Sequence, residues 1–295
     1  MKNLISAAVT ILLIIIFLPS GSARAQEQEP GFCYTIINGK ATVTGYIGEP
    51  EYINIPADLE GCPVTEVRDN AFYCCSSLKE IVLPVSITKL GHHCFYECTS
   101  LETISLPPEL SVIGMGCFSG CTALERIELP GGLTLLPDSC FRGCTSLAQV
   151  YLPSGVRSVE KFCFAGCESL ETAVFSEALA DIGDYSFYMC PALKSVYVPP
   201  SAADIGAMAL GFTSSGQGSS AVSGFEIFGA KGSAAEKYAQ ENAIPFTEAK
   251  SSVQAFAQIS DSAAAPVLPL RLILAGSALF SAAIFLLVKQ LRRSD

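Results

Sequence analysis

CFSGCTALERIELPGGLTLLPDS, Cys117–Ser139, is one unit of a repeat that recurs through the middle of the chain. Its phenylalanine heads a column at a constant spacing of 23: Phe72, Phe95, Phe118, Phe141, Phe164 and Phe187. Leu78, Leu101, Leu124, Leu147, Leu170 and Leu193 follow six places later. Ile81, Ile104, Ile127, Val150, Ala173 and Val196 form a third column. Leu83, Leu106, Leu129, Leu152, Phe175 and Val198 form a fourth. Proline closes the segment at Pro84, Pro107, Pro130, Pro153 and Pro199, with Ser176 breaking the series. Val67, Leu90, Ile113, Leu136, Val159, Ile182 and Ile205 complete the set. Six columns in one register identify a repeat architecture before any local reading.

The spacing dictates the physics. The I-x-L-P segment alternates, which predicts a strand of about three or four residues with one face buried. Proline ends it because it cannot donate to the ladder. The segment around phenylalanine turns the chain back and is expected to be a helical turn. One coil cannot bury its Phe, Leu and Ile alone, whereas stacked coils share a continuous core. Seven coils with strands about 4.8 Å apart predict a solenoid on the order of 30 Å long.

The unit resembles the BspA-like class of bacterial leucine-rich repeats, with its AF-x-x-C-x-x-L-x-x-I-x-L-P pattern, from about Phe32 to Phe246. The resemblance implies an α/β leucine-rich repeat solenoid with short parallel strands and 23-residue coils, exposed on a cell surface and used in adhesion to host or neighbouring cells. Residues 26–66, with Tyr34, Ile36, Val43 and Tyr46 and then Ile53-Asn54-Ile55-Pro56, look like that family's capping hairpin and first strand. The repeats occupy 67–224. Residues 225–248 look like its closing cap, with a strand at Phe225 and Ile227 and a short helix from Ser233 that turns Ala235, Tyr238 and Ala239 inward. The last coil departs from the pattern: Leu210 replaces Phe, and the Gly/Ser-rich insertion Ser214–Gly224 reads as a loop.

The sequence holds 13 cysteines, most of them in two columns. Cys75, Cys98, Cys121, Cys144, Cys167 and Cys190 lie three places after Phe. Cys94, Cys117, Cys140 and Cys163 lie one place before it, where other coils carry Ala71, Ser186 and Ala209. Interchange of Ala, Ser and Cys marks a small buried position, so the thiols read as packing. Side chains in one column, about 4.8 Å apart, stand at the edge of disulfide reach. Cys33, Cys62 and Cys74 lie outside both columns, and a Cys33–Cys62 bridge stays open. The C-x-x-x-C spacing alone would allow zinc, but a packed core leaves no room for an ion, and no cofactor is expected.

Both ends are apolar. Lys2, the run Leu4–Leu18 and Ala23-Arg24-Ala25 have the order of a signal peptide covering residues 1–25. Residues 249–270, rich in Ala and Ser, read as a flexible stalk. Residues 271–288 read as a membrane-spanning helix, with Lys289, Arg292 and Arg293 in a cytoplasmic tail at 289–295. The expected topology is therefore a single-pass type I membrane protein with an extracellular repeat domain. Mean hydropathy is +0.42, inflated by these ends, and net charge is −10. Between Gln26 and Leu270 there are 12 basic against 27 acidic residues, a net of −15. Nucleic acid is thereby disfavoured as a partner, since phosphate binding needs a basic face.

Catalysis finds no residues to stand on. His92-His93-Cys94 is the only His–Cys cluster, adjacent residues point apart, and Cys94 belongs to a buried column. What remains is the outward face of the strands. Arg126, Glu128, Gln149, Tyr151, Ser195 and Tyr197 are the candidate binding face, with Arg126, Tyr151 and Tyr197 of the types enriched at interface hot spots. The expected function is non-catalytic binding of an extracellular protein or surface polymer, with anchorage in the cytoplasmic membrane through the C-terminal helix. The alternative is a structural spacer without a soluble ligand.

Overall fold

The computed structural model describes residues 31–215, 218–252 and 254. The expected signal peptide, nearly all of the stalk, the membrane span and the tail lie outside the described residues. Among the described residues, no helix is long and apolar enough to cross a membrane.

The chain winds into a stack of coils with three flanks. One flank carries the strands of the alternating segment. Tyr52–Asn54, Glu80–Val82 and Thr103–Ser105 pair in parallel, as do Gln149–Tyr151 with Thr172–Val174 and Ser195–Val198 with Glu226–Gly229. Phe246–Glu248 adds the final parallel strand. The two end segments are thus rungs of the same stack, and the solenoid has about nine turns rather than seven. A second flank carries two-residue strands, from Lys89–Leu90 and Val112–Ile113 to Leu135–Leu136, Ser158–Val159, Asp181–Ile182 and Asp204–Ile205. The hairpin Gly31–Ile37/Lys40–Ile47 covers its first edge through Cys62–Val67.

The third flank, around the phenylalanines, is not helical. The described residues of the coils are strands and turns, and the helix Ala234–Glu241 belongs to the cap, so the fold is a β-solenoid rather than α/β. Backbone donors on this flank alternate. The Tyr73 N–H bonds back to the Asn70 carbonyl at 3.1 Å, while the Phe72 N–H bonds forward to the Cys94 carbonyl of the next coil at 2.9 Å. Two columns of positive φ produce the alternation: Asn70, His93, Gly116, Ser139, Phe162, Tyr185 and Met208, at 51–59°, and Cys74, Glu97, Gly120, Gly143, Gly166 and Met189, at 53–78°. A left-handed residue between right-handed ones stops the chain winding into a helix and turns every second N–H along the stack.

Inside, the six phenylalanines are fully buried and stacked, with centroids 5.0–5.5 Å apart and planes within 18° of parallel. Where Leu210 replaces Phe, Tyr238 of the terminal helix closes the core. Its hydroxyl donates to the Leu210 carbonyl at 3.1 Å and accepts the Leu210 N–H at 3.0 Å. The Gly/Ser-rich insertion is not an irregular loop but an antiparallel hairpin, Phe212–Ser215 with Gly218–Ala221.

The strand flanks have a seam. Among the described residues no backbone hydrogen bond links Glu102–Ile113 to Glu125–Pro137, and on the first flank the Phe118 coil meets its successor through the Ala148 N–H to Glu125 carbonyl bond at 3.1 Å and the isolated bridge Arg126–Gln149 rather than through a paired strand. Pro137 is the local cause on the second flank. Gly91, Gly114, Glu160, Gly183 and Gly206 each donate N–H to the preceding coil there, at 2.7–2.9 Å. Proline has no N–H to give. The turn flank runs through unbroken: Phe95 and Glu97 donate to Cys117 and Ser119 at 2.8 and 2.7 Å.

Candidate functional site

The strand flank presents four of the six candidate residues. Arg126, Glu128 and Gln149 are exposed, and half-buried Tyr151 donates its hydroxyl to Gln149 Oε1 at 3.0 Å. Ser195 is half-buried, and Tyr197 is only 3% exposed. The expectation that Tyr197 faces solvent is corrected by the cap. Phe228 of the next strand and Ala249 pack on its ring, and its buried hydroxyl has no hydrogen-bond partner among the described residues. Burial pushes that hydroxyl up to about 12. The chain beyond the last strand continues over the same end. Ala249 is fully buried, so the body extends into the segment read as stalk, and Ser252 Oγ donates to Glu177 Oε1 at 3.1 Å. The open part of this flank therefore runs from Tyr52 to Tyr151. Val82, at 47%, adds apolar surface to it.

The turn flank holds a second feature, which the sequence reading missed. An open groove of about 400 Å³ is lined by His93, Tyr96, Glu97, Met115, Ser119, Ser139 and Arg142 over a floor of Gly116, Gly120 and Gly143. Outward positions on this flank lie two before and one after each Phe. In the Phe95 coil they are His93 and Tyr96, in the Phe118 coil Gly116 and Ser119, and in the Phe141 coil Ser139 and Arg142. The groove is where the bulky column drops to Gly and Ser. At Gly116 and Gly120 glycine supplies positive φ and also space, because a Cβ would meet the His93 ring at 3.0 Å and Glu97 Cγ at 2.9 Å. Hydrogen bonding to Glu97, then partial burial, raises the Tyr96 hydroxyl above its ordinary value.

The His–Cys cluster does not converge. His92 Nδ1 accepts the Met115 N–H at 3.0 Å in solvent, while Cys94 is fully buried. Among the described residues no group of three or more His, Cys, Asp or Glu is arranged to hold a metal.

The model of the BspA type leucine rich repeat region matches residues 65–194 and 117–217, in six copies. The chain belongs to this family. Solved structures of bacterial leucine-rich repeat proteins also resemble this chain. A T. pallidum leucine-rich repeat protein is 30% identical, with a TM-score of 0.56, over 59% of this chain and 83% of its own. A leucine-rich cell surface protein from Faecalibacterium prausnitzii shares the fold at 20% identity, with a TM-score of 0.51, over 70% and 72% of the two chains. No curated protein matches the chain.

In this BspA-type repeat the thirteen cysteines are unbridged, and the two columns do different things. Cys98, Cys121, Cys144, Cys167 and Cys190 each donate S–H to the phenylalanine carbonyl of the preceding coil at 3.1–3.2 Å. That bond gives the column a reason to be cysteine in every coil from Phe95 to Phe187, while the other interchanges with Ala and Ser. Desolvation raises these thiols, Cys144 and Cys190 to about 12, so they are neutral and unreactive at physiological pH.

Proposed function

We propose that this chain is a non-catalytic, membrane-anchored surface protein whose strand flank binds an extracellular protein or surface polymer. The observation that carries the reading is the contrast between the two sides of each strand. Ile81, Ile104, Ile127 and Val150 are buried and repeat with little change. Glu80, Val82, Thr103, Ser105, Arg126, Glu128, Gln149 and Tyr151 point away from the core and differ from coil to coil. The fold asks nothing of those outward positions, so their variety is free to serve recognition. The cell-surface description of the F. prausnitzii relative agrees with exposure of the repeats.

The test displays the full chain on cells and measures binding to immobilised matrix proteins and mucins. Saturable binding, at least tenfold weaker when Arg126, Gln149 and Tyr151 are together changed to Ala, is the expected result. Tyr197 is omitted because the cap covers it. Absence of binding across the panel replaces this reading with the spacer. Protease treatment of intact cells should remove the repeats, and their protection would overturn the topology.

A further inference from the structure

We propose that the turn-flank groove binds one carboxylate-bearing sugar ring of a glycan. The first argument is an uncovered aromatic face. Tyr73 and Tyr96 stack along the solenoid at 4.9 Å with planes 7° apart. The next residue of the same column is Ser119, so the stack stops and the far face of Tyr96 is left to the groove. On the opposite side Phe162 stacks on Tyr185 at 5.2 Å, and the Arg142 guanidinium lies 5.8 Å from the Phe162 ring centre. Tyr96 and Arg142 are two coils apart, about 10 Å at the usual strand spacing. That gap takes one pyranose ring with its C–H face on the tyrosine. A volume of about 400 Å³ falls within the range of small-ligand sites.

The second argument is polarity that faces the groove. Ser119 is only 8% exposed and lines the groove between Tyr96 and Arg142 in the same column. The Arg142 side chain makes no ion pair or hydrogen bond among the described residues, and its guanidinium lies over the Phe162 ring. A planar guanidinium pre-positioned on an aromatic face suits a bidentate carboxylate. Glu97 is not its partner; its carboxylate accepts the Cys74 thiol at 3.6 Å. A peptide is a poorer fit. The floor amides of Gly116 and Gly120 already donate to Asp138 and Arg142 at 2.9 and 2.7 Å, leaving no edge for strand addition. The acidic body, at −15 between Gln26 and Leu270, disfavours a dense polyanion. Carboxylates spaced by neutral sugars fit both charges.

The inference concerns a different flank and ligand from the strand-flank reading, so either can fail alone. The test is calorimetric titration of the purified full-length chain with a tetrasaccharide alternating glucuronic acid and N-acetylglucosamine, beside uncharged cellotetraose. Saturable binding of the acidic probe is expected, at least tenfold tighter than cellotetraose. Arg142→Gln should weaken it at least tenfold. Ser119→Tyr, which continues the tyrosine column into the groove, should abolish it with an unchanged melting curve. Arg126→Ala with Tyr151→Ala should leave it intact. No saturation by the acidic probe, or equal affinity in Arg142→Gln, overturns the site. Equal affinity for cellotetraose overturns the carboxylate.

Discussion

At the junction of the Phe95 and Phe118 coils the turn flank is continuous and the strand flanks are not. On the turn side the rings stack at 5.5 Å, Phe95 and Glu97 donate to the next coil, and Cys121 donates its thiol back to the Phe95 carbonyl at 3.1 Å. On the strand side the ladder from Glu102 to Ile113 finds no partner in Glu125–Pro137. The parallel strands, which ordinarily define such a solenoid, are therefore not what keeps its coils in register here. The turn flank does that, through rings, alternate amides and thiols. The strand flank is released to vary, and the groove lies at the level of this same junction.

The largest expected effect comes from removing the protons that the turn flank holds. The buried thiols titrate above their ordinary value near 9 because burial penalises the thiolate, with Cys144 and Cys190 raised to about 12. Below pH 9 the folded and unfolded chains both keep these protons, and stability is indifferent to pH on their account. Above it the unfolded chain releases them first, so stability falls from about pH 9 until the folded thiols titrate near 12. Each such thiol costs roughly 1–1.5 kcal/mol per pH unit, and this pair alone about 3 kcal/mol per unit. Urea midpoints of the reduced protein should hold level below about pH 9 and drop steeply between about pH 9 and 11.5, and less steeply in Cys144→Ala with Cys190→Ala. A flat midpoint would remove the thiols from the account of stability.

Next in size is a paired truncation at the junction. Phe118 is fully buried between two rings and Ile127 is 6% exposed on the interrupted strand. Phe118→Ala should cost about 3–5 kcal/mol, and Ile127→Ala about 2 kcal/mol, the low end for such a change. Denaturant titration decides. An equal or larger cost at Ile127 would mean that the strand flank carries the register after all.

Much of this architecture is legible in the sequence, because the solenoid repeats one environment at a time. Phe at every 23rd place and Leu six later are buried columns, as the spacing predicts. The turn flank is less legible. Asn70, His93, Gly116, Ser139, Phe162, Tyr185 and Met208 share one left-handed conformation with no common chemistry, since the stack imposes it and individual propensity is overridden. Without that column the groove cannot be seen, although the fall from Tyr96 to Ser119 and Gly120 was there to read. Tyr197 was misplaced for a related reason. Strand alternation points it outward, and only the fold of Phe228 and Ala249 back over the last coil covers it. The seam did have a signal, Pro137 in a column of Gly and Glu.

The smallest effect is also the most local, and it bears on the seam directly. Amide exchange reads the hydrogen bonds one at a time. Glu125 and Thr134 have no backbone acceptor among the described residues, whereas their counterparts one coil later, Ala148 and Arg157, donate to Glu125 and Thr134 at 3.1 and 2.9 Å. The Glu125 and Thr134 amides should exchange at least tenfold faster than those of Ala148 and Arg157. Across the same junction the Phe95 and Glu97 amides should be as slow as Phe118 and Gly120, whose bonds to Cys140 and Arg142 have matching lengths of 2.8 and 2.7 Å. Fast exchange at all these sites would mean that the coils separate as rigid units and that the turn flank does not bridge them. Slow exchange at all of them would mean that the strand ladder closes in solution in spite of Pro137. Only the split pattern, slow on one flank and fast on the other within a single coil, fits a solenoid whose register is held from the phenylalanine side.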